Sequence, residues 1–308
     1  MEGFAIPFLL FVGSLLIVQA AANVQLSAAM VSPFGASTLQ LAIGAALLLA
    51  LATLAGSLGA FGLLDRAEPW HLVGGLGSAI YITAGILLFP RLGALVAVGL
   101  FISGQMLASL LLDSFGWLGV ARDVHETAAL AGAAAVVVGS WLIVRAQAGA
   151  GALEVAARER TGWAFLGLAA GAVLPIQGAI NAQLNADLGA STAVGAFSFL
   201  VATAAMALAL AATVAAGGPR PRVEPLRGVP WWGWLGGLCG ATYVTAVFLL
   251  IPQIGAAPVV VLTVAGQQLA SAAVDRYGLL RLPRRAIPVR RLAGVALLLT
   301  GVGLITLL

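Results

Sequence analysis

The amino-acid sequence predicts an all-α integral membrane protein with ten transmembrane helices, arranged as two inverted five-helix repeats. Three observations carry this reading. Apolar runs of helix length recur along the whole chain, motifs of the first half recur in the second, and positive charge is concentrated in alternate loops.

The chain has 308 residues, of which 61% are hydrophobic and only 8% charged, and its mean hydropathy is +1.07. A soluble domain carries roughly 25% charged residues. So few charges do not cover a water-soluble surface of this size, whereas lipid accepts long apolar runs. Helices are expected at 4–29, 34–56, 70–89, 92–112, 126–146, 162–187, 190–216, 230–251, 254–275 and 288–308. Each offers about 20 apolar residues, enough for a hydrocarbon core of ~30 Å. Pro33, Pro90, Pro219, Pro230, Pro252 and Pro288 mark helix edges, where a missing N–H does least harm. The stretch Phe4 to Ala22 lacks the basic flank of a secretory signal, and a copy of it recurs deep inside the chain. It is expected to stay as a membrane helix.

The repeat is read directly from the residues. The run from Val18 to Leu26, with Gln19, Asn23 and Gln25, matches Ile176 to Leu184, with Gln177, Asn181 and Gln183, at an offset of 158. Residues 70–116 align without a gap to 232–278 at an offset of 162, and 22 of the 47 positions are identical. The identities include Trp70/Trp232, Tyr81/Tyr243, Pro90/Pro252, Gln105/Gln267 and Asp113/Asp275. Shared apolar composition does not hold Trp, Tyr, Pro, Gln and Asp in register, so the halves descend from a duplication. The N-terminal repeat is 1–146, the linker 147–161 and the C-terminal repeat 162–308.

Five helices per half start the second half on the opposite side, which makes the repeats inverted. All fifteen basic residues are Arg. Loops on the side of the N-terminus carry Arg66 and Arg122, and the other thirteen lie on the opposite side. The positive-inside rule makes that opposite side cytoplasmic and puts both termini outside. The net charge of +4 is thereby read as a topology signal and not as a nucleic-acid footprint. Cys239 is the lone cysteine, has Gly77 as its repeat partner and is expected to be a small packing residue. No metal cluster and no cofactor motif is present in the sequence.

Four motifs occur twice. They are Gln-x3-Asn-x-Gln-Leu in the first helix of each half, Gly-Gly followed by Ala-x-Tyr-x-Thr in the third, a Pro-x2-Gly-Ala turn, and Gly-Gln-x-Leu-Ala-Ser-x3-Asp-x2-Gly in the fourth. In these the chain resembles the drug/metabolite transporter superfamily, and specifically its YdcZ branch of inner-membrane exporters. The resemblance covers nearly the whole chain. It implies a bundle-shaped transporter of the inner membrane with a central solute path, and it names no substrate.

All eleven acidic residues lie in loops or near helix ends. The small multidrug exporters of the same superfamily exchange protons at a carboxylate within their first helix. Here that helix carries amides, which do not titrate near neutral pH. The best candidates for contact with a solute are therefore Gln19 and Asn23, and their counterparts Gln177 and Asn181. Each pair is four residues apart and shares a helix face, and inverted symmetry would bring the two pairs together near the midplane. Amides offer donors and acceptors without charge, which suits a neutral or zwitterionic solute. They equally suit interhelical hydrogen bonding. Pro175, two residues before Gln177, is expected to kink or break its helix. Gln105 and Gln267 form a second symmetric pair, and Tyr81 and Tyr243 are read as either cavity-lining or core aromatics. Asp113 and Asp275 end their helices against the macrodipole. They are read as gate elements, one per mouth, or as local caps. His71 and His125 lie near helix ends outside any motif.

These readings lead to a secondary transporter exporting a small polar or amphiphilic solute by alternating access. A passive channel or facilitator, and a non-transporting scaffold, are the alternatives. No catalytic motif is present, so no enzyme is expected. The partners expected are a small solute and the bilayer of the plasma (inner) membrane. Nucleic acid is not among them, and the two-repeat design requires no oligomer.

Overall fold

The computed structural model describes residues 2–92, 94–122 and 157–281, with isolated residues between 131 and 138 and between 289 and 300. Eight α-helices lie within these residues: α1 (Glu2–Met30), α2 (Pro33–Leu54), α3 (Leu76–Leu92), α4 (Ala94–Phe115), α5 (Ala157–Leu188), α6 (Ser191–Ala215), α7 (Gly236–Ile254) and α8 (Ala256–Tyr277). The regular structure described is entirely helical, and eight spans are long and apolar enough to cross a membrane. The expected helices 126–146 and 288–308, and residues 147–156 of the linker, fall outside the described residues apart from isolated positions.

Local chemistry sets most boundaries. Ser32 caps α2 by accepting the Gly35 N–H at 3.1 Å, and Pro33 opens the helix, where its missing N–H has no partner to lose. Gly116 (φ +68°) ends α4 and Gly278 (φ +66°) ends α8, both in the left-handed conformation that glycine adopts without strain. Two residues on, Leu118 and Leu280 repeat the match with φ +54° and +55°.

Several boundaries differ from expectation. The expected helices 70–89 and 230–251 each begin with a 3-10 turn, Pro69–Val73 and Trp231–Trp234. Gly74-Gly75 and Gly236-Gly237 follow these turns, and glycine is a poor helix former. Pro90 and Pro252 do not end their helices, since α3 and α7 each run two residues further into a last turn. Pro175 lies inside α5, which runs unbroken through it and begins at Ala157 rather than 162.

The chain divides into two compact units, each drawing on both halves of the sequence. The first comprises Leu15–Thr83 and Gln177–Leu249, and the second Met1–Ser14, Ala84–Ile176 and Leu250–Leu308. Within the first unit, α2 and α6 share an extensive contact. Glycine lets backbones close in beside it: a Cβ on Gly75 (before α3) would sit 2.1 Å from the Ser198 carbonyl oxygen of α6. One on Gly237 (α7) would sit 2.6 Å from the Gln40 carbonyl oxygen of α2. Gly75 aligns with Gly237 and Ser198 with Gln40, so these are one contact made twice.

The second unit repeats the device. A Cβ on Gly104 (α4) would meet the Leu168 carbonyl oxygen of α5 at 2.0 Å, and one on Gly266 (α8) the Leu10 carbonyl oxygen of α1 at 2.0 Å. Gly171 approaches the Phe101 carbonyl oxygen at 2.2 Å, and Gly13 that of Thr263 at 2.0 Å. Each pair maps onto the other under the offsets of 158 and 162. Close backbone approach through small residues is how apolar helices associate where lipid removes the hydrophobic incentive. Large apolar side chains such as Phe165 and Leu208 are exposed, while Phe101, Met106 and Phe248 are fully buried.

Candidate functional site

The candidate residues fall into two groups. The first unit holds Gln19 and Asn23 on α1, Tyr81 on α3, Gln177 and Asn181 on α5, and Tyr243 on α7. The second holds Gln105 and Asp113 on α4 with Gln267 and Asp275 on α8.

In the first unit three of the four amides meet a serine, and the fourth lies beside a glycine. Gln177 is buried and its Oε1 accepts the Ser78 hydroxyl at 3.0 Å. Ser78 aligns with Gly240, and there the Gln19 side chain fills the space, its Nε2 standing 2.7 Å from where a Gly240 Cβ would be. Asn181 is 1% exposed and donates from Nδ2 to Ser198 Oγ at 3.0 Å. Asn23 is half-buried, facing Ser37 Oγ at 3.4 Å. No hydrogen bond joins the α1 amides to the α5 amides among the described residues. Tyr81 and Tyr243, equivalent positions of the two halves, lie within electrostatic reach of each other.

The sequence reading missed Gln40. It is 3% exposed on α2, donates from Nε2 to the backbone oxygen of Gln19 at 3.2 Å, and fills the space beside Gly236. The available signal was its alignment with Ser198, the partner of Asn181. The matching glycine is Gly74, where a Cβ would lie 2.2 Å from Asn181 Oδ1. Glycine thus clears room for a polar side chain at both places. The pair His71–Asp187 was missed as well. Nδ1 of buried His71, in the turn before α3, contacts Oδ2 of Asp187 near the end of α5. Each residue carries no motif, and 116 positions separate them.

Burial leaves some polar atoms without hydrogen-bond partners among the described residues. They include Asn181 Oδ1, Asn185 Oδ1 and Thr245 Oγ1 in the first unit, and Gln105 Oε1 and Nε2 with Gln267 Nε2 in the second. An unpaired buried polar atom costs about 1–3 kcal/mol.

Asp113 is 1% exposed at the end of α4. Its two carboxylate oxygens accept the backbone N–H groups of Ala256 and Ala257, at 2.7 and 2.6 Å. It therefore caps the N-terminus of α8, whose positive dipole end offsets the unfavourable position of the carboxylate on its own helix. The side chain of Asp275 lies outside the described residues. Cys239 is buried, as a packing residue would be.

A sequence model of the family described as "Putative inner membrane exporter, YdcZ" matches residues 4–142 and again residues 162–304. The chain belongs to this family. It is the fused form, in which one chain carries two family units, and as a YdcZ-family protein it is a multi-pass membrane protein of the transporter class. No curated protein matches the chain. One solved structure, "Crystal structure of protein", is similar in fold with a TM-score of 0.68, at 19% identity, covering 99% of this chain and 96% of that chain.

Proposed function

We propose that this YdcZ-family chain is a secondary transporter of ten helices in two inverted repeats. It exports a small neutral or zwitterionic solute by alternating access and binds that solute through the amides of the first unit. The observation that carries the reading is Asn181. Its Nδ2 is held by Ser198, while its Oδ1 is buried beside Gly74 without a hydrogen-bond partner among the described residues, an uncharged acceptor that a solute donor would satisfy once this packing opens. Gln19, Asn23 and Gln177 add uncharged donors and acceptors, and the reciprocal glycine contacts of the two halves supply the paired geometry that two related end states require. Tyr81 and Tyr243 add to the proposed site of the first unit, and in the second unit Gln105 and Gln267 are proposed as solute contacts and Asp113 and Asp275 as gate elements.

Asn181→Leu tests this. A structural hydrogen bond between membrane helices is worth about 0.6 kcal/mol, so folded yield and thermal stability should stay near wild type. Efflux from reconstituted vesicles, screened over amino acids and neutral drugs, should fall at least about tenfold, the equivalent of 1.4 kcal/mol. Normal flux per folded molecule with reduced stability would make Asn181 structural and end the binding role. A passive facilitator is the second reading, favoured by the lack of a carboxylate in the middle of any described helix. Flux against a solute gradient excludes it.

A further inference from the structure

We propose that Gln105 on α4 and Gln267 on α8 recognise the amide edge of a neutral ligand, an N–H and a C=O held side by side as in a lactam, a cyclic urea or a pyrimidine base. The inference rests on the transport reading above and names a class of solute for it.

The two residues occupy matching places. Both stand at the middle of a 22-residue helix. Asp113 ties the end of α4 to the start of α8 through Ala256 and Ala257, and the two helices pack together. Counted from that tie at about 1.5 Å per residue, Gln105 lies about 12 Å along α4 and Gln267 about 15 Å along α8, so the amides sit at similar depth.

Both side chains are buried, Gln105 at 1% exposure and Gln267 at 8%. Nevertheless Oε1 and Nε2 of Gln105, and Nε2 of Gln267, have no hydrogen-bond partner among the described residues. The hydroxyls nearby are committed elsewhere. Ser109 donates to the Met106 carbonyl, and Thr263 to those of Val259 and Val260, each on its own helix. The Asp113 oxygens are taken by the Ala256 and Ala257 N–H groups. In the first unit, by contrast, Asn23, Gln177 and Asn181 each engage a serine. Lipid supplies no partner to an amide at mid-membrane depth. The bond has to come from a molecule that enters the unit.

The open atoms define the chemistry of that molecule. A carboxamide shows one acceptor and one donor side by side. A cis N–H and C=O meets both at once through two parallel hydrogen bonds, as a glutamine does when it reads an adenine edge. Turning the Gln105 amide over exchanges its ends and turns the ligand with it, so the class is unchanged. An ammonium only donates and leaves Nε2 unpaired, while a carboxylate only accepts and leaves Oε1 unpaired. Neither charge finds a counterion, because α4 holds no charged residue before Asp113 and α8 none before Asp275. Gln267 Nε2 adds one donor at similar depth, suited to a second carbonyl such as that of uracil. Phe101, Ile102 and Val264, each within a helical turn of one of the glutamines, are buried and apolar, in keeping with a flat ring.

The test is equilibrium binding to the full chain in lipid nanodiscs, with empty nanodiscs as the blank. The probes are uracil, hydantoin and 2-piperidone, each beside its fully N-methylated form, which keeps the carbonyl and loses the donor. At least one probe should bind saturably, and its N-methylated form at least about tenfold more weakly, the equivalent of about 1.4 kcal/mol. Gln105→Met, which replaces the amide at similar length, should cost the same factor. Gln267→Met should weaken uracil more than 2-piperidone, which has no second carbonyl. Without ligand, Gln105→Met should unfold no earlier than wild type, since it removes a buried amide that has no partner. Earlier unfolding would mean that the amide is bonded within the protein or to a resident water, and it overturns the proposal. So does the failure of all three probes to bind, equal binding of the N-methylated forms, or undiminished binding in Gln105→Met. The N-methylated probes need no variant, so they decide the matter whether or not Gln105→Met folds. Binding is read without flux and in the second unit, so this result and the Asn181 flux test fail separately.

Discussion

Asp113 offers the most quantitative test of the packing described above. Its carboxylate receives two backbone N–H bonds from the first turn of α8 and is almost fully buried. Asp113→Ala leaves both donors unpaired, each costing about 1–3 kcal/mol. Removing a negative charge from the C-terminal end of α4 returns about 0.3–1 kcal/mol. The net expectation is a loss of about 3 kcal/mol. Asp113→Asn keeps one acceptor but turns a second donor toward α8, so the loss should be about half as large. Thermal or denaturant unfolding in a single detergent, followed by helix content, ranks the three proteins as wild type, then Asn, then Ala. If Asp113→Ala unfolds within about 0.5 kcal/mol of wild type, the range of a neutral surface change, the cap is not holding α8 and the contact has no structural weight. If stability falls as expected and flux per folded molecule is unchanged in Asp113→Asn, the gate reading of this residue fails and the cap alone remains.

Two further predictions concern glycine packing and membrane orientation. Gly266→Ala forces a Cβ to within 2.0 Å of the Leu10 carbonyl oxygen and should destabilise by about 1–3 kcal/mol, whereas Gly162→Ala on α5, with nothing within 4 Å, should be neutral or slightly stabilising in the same unfolding assay. A single cysteine placed at the C-terminus on a Cys239→Ala background should react with an impermeant maleimide from the outside of intact cells, and reaction only after the cytoplasmic side is opened would reverse the Arg-based orientation.

What the sequence made legible was whatever appears twice. The Gln-x3-Asn run and the matched Gly-Gln positions announced both a repeat and buried polar groups, because an amide in an apolar helix is conspicuous. The family model matches the chain twice, over 4–142 and 162–304. What stayed hidden was single or tertiary. Gln40 is one polar residue in an apolar helix, and only the position of Gly236 against it shows why it matters. His71 and Asp187 belong to different halves, and no periodicity connects them. Asp113 looked uncompensated because its partner is a helix N-terminus, which sequence does not display as charge. Pro175 was expected to kink or break α5, and the helix is not broken there. A helix of 32 residues in a low-dielectric setting has few competing ways to satisfy its backbone, so loss of one bond leaves the rest in place.

The contrast between duplicated and solitary features bears on mechanism. Under the proposed inverted-repeat mechanism, two halves that make the same contacts reciprocally would have two arrangements of nearly equal energy, since exchanging the roles of the halves would exchange the arrangements. Equal energies allow movement but give it no direction. A direction needs a term present in one half only. The glycine contacts are matched and supply none. The candidate amides are matched in sequence as well, Gln19 with Gln177 and Asn23 with Asn181. The His71–Asp187 pair is unmatched, since His71 aligns with Gly233 and Asp187 with Ala29.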